Sequence, residues 1–98
     1  MNIDSFFKCV VDTSRRRILT ILMTGEKCVS EIVEETGLEQ SLVSHHLKVL
    51  KTCGLVKSRQ NGKKVLYSLP NPEIKDVFEA AEKVCIKMQD IEPHEECK

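Results

Sequence analysis

Residues 37–69 read GLEQSLVSHHLKVLKTCGLVKSRQNGKKVLYSL, and they carry the strongest structural signals in the chain. Residues 40–52 place apolar side chains at the three- and four-residue spacing of a helix, with Gly37 before it and Gly54 after it. LVKSRQ and KKVLYSL then flank Asn61-Gly62, a dipeptide typical of a tight β-hairpin in which both turn residues take positive φ. The stretch therefore predicts a helix followed by a two-stranded hairpin.

The rest of the chain predicts further helices on both sides of this stretch. Apolar spacing indicates a helix over residues 3–11, a second that starts after Asp12 and ends near Thr24-Gly25, a short one over 30–36 stopped by Gly37, and a last one opened by Asn71-Pro72. A short helix, a glycine turn, a helix and then a hairpin form a winged helix-turn-helix. The predicted fold class is mainly α with a small β-hairpin wing.

Length and composition narrow the class of protein. Ninety-eight residues correspond to one domain, no apolar run is long enough to span a bilayer, and the N-terminus resembles no signal peptide, so we expect a cytoplasmic protein without a membrane partner. The five cysteines contain no C-x-x-C pair, which disfavours a zinc finger or a thioredoxin site. In the cytoplasm we expect all five thiols to be reduced.

The charge is unevenly distributed along the chain. The formal net charge is zero, yet residues 40–69 carry six Lys or Arg and no Asp or Glu. These cations are Lys48, Lys51, Lys57, Arg59, Lys63 and Lys64. A local excess of this size predicts a polyanionic partner.

The adjacent histidines fall on different sides of the predicted helix. At about 100° per residue, His45 shares one side with Ser41, Ser44 and Lys48, whereas His46 lies with the aliphatic residues, Leu42 included. Neighbours on a helix do not converge on one metal ion, so a joint metal site is disfavoured. We expect His46 to be a half-buried neutral imidazole with a polar partner. His45 is either a nucleic-acid contact or a solvated surface residue.

The outward side of this helix has the chemistry of a major-groove reader. Its small polar side chains allow close approach to base edges, and an amide such as that of Gln40 can pair with adenine. The candidate DNA-binding residues are Gln40, Ser41, Ser44, His45 and Lys48 on the helix, and Arg59, Lys63 and Lys64 in the wing. The alternative for the wing is a solvated basic turn.

The segment RRRIL, the run QSLVSHHLKVL, the GLV that follows and the wing GKKVLYSL together resemble the ArsR/SmtB family of winged-helix repressors over about 55 residues. The resemblance implies a homodimer built from the first and last helices, which binds an imperfect inverted repeat in double-stranded DNA and responds to metals or thiol chemistry. It implies a transcriptional regulator and not an enzyme.

The apolar pattern is compatible with a dimer of this kind. The first and last helices carry more apolar side chains than one small core needs, namely Phe6, Phe7, Val10, Val77, Ala81, Val84 and Met88. The alternative is packing within one chain. We therefore expect residues 1–92 to form the DNA-binding domain with dimerisation helices at both ends, and residues 93–98 to form a polar tail.

The chain differs from the family at the positions that bind the effector. Cys28-Val29-Ser30 stands where arsenic and cadmium responders carry Cys-Val-Cys, and the zinc-site positions of the last helix hold Asn71, Glu73, Val84 and Lys87. Three alternatives stay open. One is a metal site in which Cys28 pairs across the dimer with Cys9, or with His94 and Cys97 of the tail. Another is a redox or persulfide sensor at Cys28, Cys85 or Cys97. The third is that the cysteines, Cys53 among them, are packing residues or idle surface thiols, and that some other ligand or none controls the protein.

Two other classes of function compete with a sequence-specific repressor. A winged-helix module that binds protein or RNA without operator specificity is the main alternative, although one aromatic residue, Tyr67, in the basic segment disfavours a stacking platform for single strands. A thiol enzyme has no support, because no cysteine is spaced with a base and an orienting group.

Overall fold

The computed structural model of the protein describes residues 1–88. Three of its helices are capped at the N-terminus by a short polar side chain. The Ser5 N–H donates to Asn2 Oδ1 at 2.8 Å, and the Arg15 N–H donates to Asp12 Oδ1 at 3.0 Å. Asn71 Oδ1 likewise accepts from the Glu73 N–H at 3.0 Å. Each bond satisfies a backbone donor that has no partner within the helix. The hydrogen bond from Arg15 is also the main reason why the pKa of Asp12 lies below its ordinary value.

The five predicted helices and the hairpin are all present, in the predicted order. The elements are α1 (Ile3–Val10), α2 (Thr13–Leu22), β1 (Lys27–Cys28), α3 (Val29–Thr36), α4 (Gln40–Thr52), β2 (Lys57–Asn61), β3 (Lys64–Ser68) and α5 (Glu73–Met88). The fold class predicted from the sequence is confirmed. The residues of the predicted polar tail, 93–98, lie outside the described part of the chain.

Gly37 makes the turn between α3 and α4. Its φ of 74° is left-handed, and its N–H donates to the Val33 carbonyl at 2.8 Å, which closes the last turn of α3. Only glycine adopts this conformation at little cost. The turn therefore sets the angle at which α4 leaves α3.

The hairpin belongs to a three-stranded antiparallel sheet in the order β1-β3-β2. The strand β1 was not predicted, and it pairs Lys27 with Tyr67. The expectation of positive φ at both Asn61 and Gly62 is wrong: Asn61 pairs with Lys64 at the end of β2, and of the two only Gly62 has positive φ, at 64°. The turn residues are Gly62 and Lys63, and a glycine in the first position fits a type II′ turn.

The core lies where α2, α3 and α4 meet, with contributions from α1, from Leu55 and Val56 just before β2, and from the first turn of α5. Its fully buried side chains are Ile18, Leu19, Ile32, Val43, Leu47 and Leu50. After Phe78, every described residue of α5 is exposed, so this half of the helix adds nothing to the buried core of its own chain. No helix within residues 1–88 is long and apolar enough to cross a membrane.

A disulfide joins Cys9 in α1 to Cys53, the residue after α4, with a Cα–Cα distance of 6.7 Å. The expectation that all five thiols are reduced is therefore wrong for this structure. The fold brings together two cysteines that lie 44 positions apart in the sequence. Cys28 and Cys85 are free thiols, the first buried and the second exposed.

Candidate nucleic-acid interface

The helix α4 turns a polar face to solvent and an apolar face to the core. The polar face consists of the exposed residues predicted to read DNA, Gln40, Ser41, Ser44, His45 and Lys48. On the opposite side Val43, His46, Leu47 and Leu50 are buried. The separation of the two histidines is as predicted, and the helix is anchored without using any of its polar face.

Leu42 and His46 depart from the expectations in detail. Leu42 is 40% exposed, because the buried arc of α4 spans only about 100° and Leu42 lies beyond its edge. His46 is 7% exposed, and its Nδ1 has no hydrogen-bond partner within residues 1–88. The expected polar partner of that atom is therefore not found.

The wing extends the positive surface beyond α4. Lys63 lies in the turn and Lys64 opens β3, and both are exposed without an acidic partner within residues 1–88. The Gln60 side-chain amide donates to the Gly62 carbonyl at 2.8 Å, a hydrogen bond that stabilises the turn. The tip of the wing thus presents two cations on a defined backbone.

Arg59 is engaged by an acid that sequence analysis did not single out. Its Nε and Nη2 donate to the two carboxylate oxygens of Glu26 at 2.7 and 2.8 Å, a bidentate pair. The hydrogen bond from Arg59 holds the pKa of Glu26 below its ordinary value of 4.5, and Glu26 in turn raises the pKa of Arg59. To contact a phosphate, Arg59 would have to exchange this carboxylate for it.

A second contact missed by sequence analysis joins α4 to the wing. The Lys51 ammonium donates to the Ser58 hydroxyl at 2.7 Å, so the last turn of α4 is tied to β2. Lys51 belongs to the basic segment, but nothing in the sequence indicates its hydrogen bond to β2. The bond links the C-terminal end of α4 to the first strand of the wing.

Most of the large exposed apolar residues within residues 1–88 lie on or next to α1 and on α5. Of the predicted interface residues, Phe7, Val77, Ala81, Val84 and Met88 are exposed. Phe6 packs partly against the core, and Val10 is 6% exposed within it. These last two have little surface left for a partner.

The candidate metal ligands are not brought together in one chain. Cys28 Sγ lies 3.1 Å from Ser30 Oγ at the start of α3, and no group of three His, Cys, Asp or Glu side chains converges within residues 1–88. Cys9 is bonded to Cys53 and in that state offers no thiolate. His94 and Cys97 lie outside the described residues.

Comparison with known proteins agrees with this architecture. The family model for bacterial regulatory proteins of the arsR family matches residues 12–58, from the start of α2 into β2. A probable mercury resistance operon repressor from Streptomyces lividans is 39% identical over 72 residues, which are 74% of this chain and 58% of the relative. The chain thus spans less than two thirds of that repressor.

Two solved structures show the same fold. The crystal structure of Rv0081 from Mycobacterium tuberculosis superimposes with a TM-score of 0.83 at 33% identity, covering 89% of this chain and 88% of that one. The homodimeric winged helix-turn-helix DNA-binding domain of Mb0332 from Mycobacterium bovis gives 0.81 at 26% identity, covering 94% and 85%. In sequence, the HTH-type transcriptional regulator Rv0081 is 34% identical over 84 residues, 74% of its length. The resemblance seen in the sequence is confirmed, and this chain belongs to the arsR family of bacterial regulatory proteins.

Proposed function

We propose that the protein is a homodimeric, sequence-specific transcriptional repressor whose two α4 helices read an inverted repeat in double-stranded DNA. The observation that carries this proposal is the polar face of α4, fully exposed and without any acidic residue from Gln40 to the end of β3. Because the inner face of the same helix is buried, this surface is held rigidly. It is the surface that would enter a major groove.

In this proposal some side chains contact base edges and others contact phosphates. Gln40 can pair in a bidentate manner with adenine, while Ser41, Ser44 and His45 offer short donors and acceptors to base edges. Lys48 on α4 and Lys63, Lys64 and Arg59 in the wing would contact phosphates, which position the protein without reading sequence. Ser58, held by Lys51, keeps these two groups in a fixed relation.

Membership of a family of regulatory proteins confirms the prediction that the chain is not an enzyme. The repressor from Streptomyces lividans supports repression as the mode of regulation. The homodimeric neighbour from Mycobacterium bovis supports pairing of two copies. Two copies would present their α4 helices to half-sites about 34 Å apart, and the bound dimer would block access to the promoter.

A soft metal ion is a candidate effector, supported by the mercury resistance operon repressor among the relatives. Cys28 would supply one buried thiolate per chain. Soft ions favour thiolate ligands, and no cluster of three ligand side chains exists within residues 1–88 of one chain. Such a site would therefore need further ligands, either from a second copy or from His94 and Cys97.

The test is fluorescence anisotropy of the protein on the duplex upstream of its own gene and on a scrambled duplex. We expect tight binding that prefers the natural duplex. Replacing Ser44 and His45 together by Ala should reduce that preference by about tenfold or more, because base contacts provide discrimination. Thr13→Ala, an exposed polar change away from α4, is the matched control and should leave the preference unchanged.

The wing is tested in the same assay with Lys63→Ala. Loss of one phosphate contact should weaken binding to both duplexes equally and lower the slope of log affinity against log salt by about one unit. Undiminished preference in the Ser44→Ala/His45→Ala variant would show that another surface reads the DNA. Equal affinity of the unaltered protein for any duplex and for RNA would favour an interaction module instead.

A further inference from the structure

The disulfide connects the two parts of the molecule whose relative position matters most for DNA binding. Cys9 lies in α1, whose outer side exposes Ile3, Phe7 and Val11 to a second copy. Cys53 follows α4 directly, and its N–H donates to the Val49 carbonyl at 2.9 Å, so its backbone continues the reading helix. The bond therefore joins the proposed dimerisation helix to the proposed reading helix.

The two cysteines differ in access to solvent. Cys53 lines an open cleft of about 830 Å³ between α1, the end of α4 and the start of α5. Cys9 does not line this cleft and is 7% exposed. A small thiol in the cleft can thus reach Cys53, which is half-buried, more readily than Cys9, which is buried.

The fold does not depend on the bond to keep α1 in place. Arg15 Nε donates to the Cys9 carbonyl at 2.7 Å, and Arg16 Nη1 donates to the Val10 and Val11 carbonyls at 2.6 and 2.9 Å. These bonds satisfy the carbonyl groups at the end of α1, and the buried Val10 side chain adds packing. Opening the disulfide would leave α1 attached and remove one constraint on its position relative to α4.

From these observations we propose that Cys9 and Cys53 form a reversible thiol–disulfide site for low-molecular-weight thiols and disulfides, with exchange at Cys53, and that closing it favours the DNA-binding arrangement. This second part rests on the proposed function. The closed form holds α1 and α4 in the geometry described here, and a preorganised surface binds with less entropic cost. The site is separate from Cys28 and from the candidate metal ligands of the tail.

The exchange reaction balances without any further reactant. In closing, the Cys53 thiolate attacks a small disulfide such as oxidised glutathione, which forms a mixed disulfide and releases one glutathione thiolate. The Cys9 thiolate then attacks the Cys53 sulfur and releases the second. The two protein thiols lose two protons and two electrons, and the small disulfide becomes two thiols. Opening is the reverse, with attack on Cys53 and departure of Cys9.

The chemical part is tested by equilibrating the full chain in glutathione buffers of increasing oxidised fraction, followed by alkylation and peptide mass spectrometry. We expect a Cys9–Cys53 cross-link that forms and opens reversibly. In Cys9→Ser, glutathione should accumulate on Cys53, whereas in Cys53→Ser, Cys9 should stay largely unmodified. Equal modification of both cysteines, or no cross-link at any buffer ratio, would overturn the proposal.

The functional part is tested by DNA anisotropy on the oxidised and reduced forms. The oxidised form should bind the natural duplex about fivefold more tightly or better, the lower end of common allosteric couplings. Cys85→Ser, at an exposed free thiol, is the matched control and should keep this difference, and the Cys9→Ser/Cys53→Ser double variant should lose it. Equal affinity of the two forms would refute the coupling.

The experiments distinguish a failure of the repressor proposal from a failure of the disulfide proposal. If neither form binds the duplex, the repressor proposal fails, while the cross-link is still read by mass. The coupling is then judged by amide hydrogen exchange in residues 3–10 and 40–53. Slower exchange there in the oxidised form supports it, and identical exchange in both forms contradicts it.

Discussion

At the scale of single residues, the pair Glu26–Arg59 determines how much charge the wing offers to DNA. Both side chains are exposed to solvent, so the pair contributes little to stability, yet it occupies the guanidinium of a candidate phosphate contact. Nothing in the sequence indicated this, because the two residues lie 33 positions apart on different elements. An acid outside the basic segment thus reduces the charge that the segment presents.

The Glu26→Gln substitution should free Arg59 for a phosphate. We expect tighter binding to every duplex and a salt dependence steeper by about 0.9 in slope, the value for one added phosphate contact. Glu34→Gln, an exposed acid on α3 without an ion-pair partner within residues 1–88, controls for the change in net charge. If Glu26→Gln instead weakens binding as Arg59→Ala does, Arg59 acts by positioning the wing.

Acid titration followed by NMR checks the ion pair itself. Because the pKa of Glu26 is depressed in the folded chain, its contact with Arg59 is fully present above pH 4.5 and is lost as the pH falls through the lowered folded value. In Arg59→Ala the Glu26 midpoint should rise toward 4.5. An unchanged midpoint would mean that the pair does not form in solution.

At the scale of elements, Gly37 controls the angle between α3 and α4. Space around its Cα is open, so a substitution there meets a backbone cost and no steric clash. Gly37→Ala should lower the free energy of unfolding by about 1 kcal/mol, and Gly37→Asn by less, because asparagine tolerates the left-handed conformation. Urea unfolding at one protein concentration and one redox state measures this. Glu34→Ala is the exposed control, expected within about 0.5 kcal/mol of the unaltered chain.

The elements also show what could be read from the sequence and what could not. The bounds of α4 and its stop before Gly54 were predictable, because periodicity and glycine act locally. The strand β1 was not, since two residues show no alternation and its order depends on pairing with β3. The Asn61-Gly62 dipeptide predicts a turn but does not fix its first residue, so the sequence places Asn61 in the turn whereas it ends β2. The contacts of Arg59, Lys51 and Cys9 all arise from the tertiary fold.

At the scale of the whole molecule, one chain leaves a large apolar surface uncovered. Phe7 on α1 and Val77, Val84, Ile86 and Met88 on α5 are all exposed. The chain measures 52 × 28 × 21 Å, and the outer half of α5 contributes no buried residue. Soluble monomers rarely expose such a patch, so a second copy is the expected cover.

The Val84→Glu substitution should weaken this dimer by about tenfold or more, since a charge would be buried without a partner. The fold of one chain should survive, because Val84 is 55% exposed within it. Sedimentation velocity over a range of concentrations measures the change, with Lys83→Glu on the same helix as the matched control. A sedimentation profile identical to that of the unaltered protein would place the interface elsewhere.

The unpacked outer half of α5 has a consequence for how a cell would experience this regulator. If this half of α5 packs against a second copy as proposed, the concentration of the active dimer depends on the square of the concentration of chains. Well below the dissociation constant of the dimer, operator occupancy would rise with the square of protein abundance, and halving the abundance would cut it about fourfold. A gene controlled in this way would pass from expressed to repressed over a narrower range of regulator abundance than under a monomeric repressor.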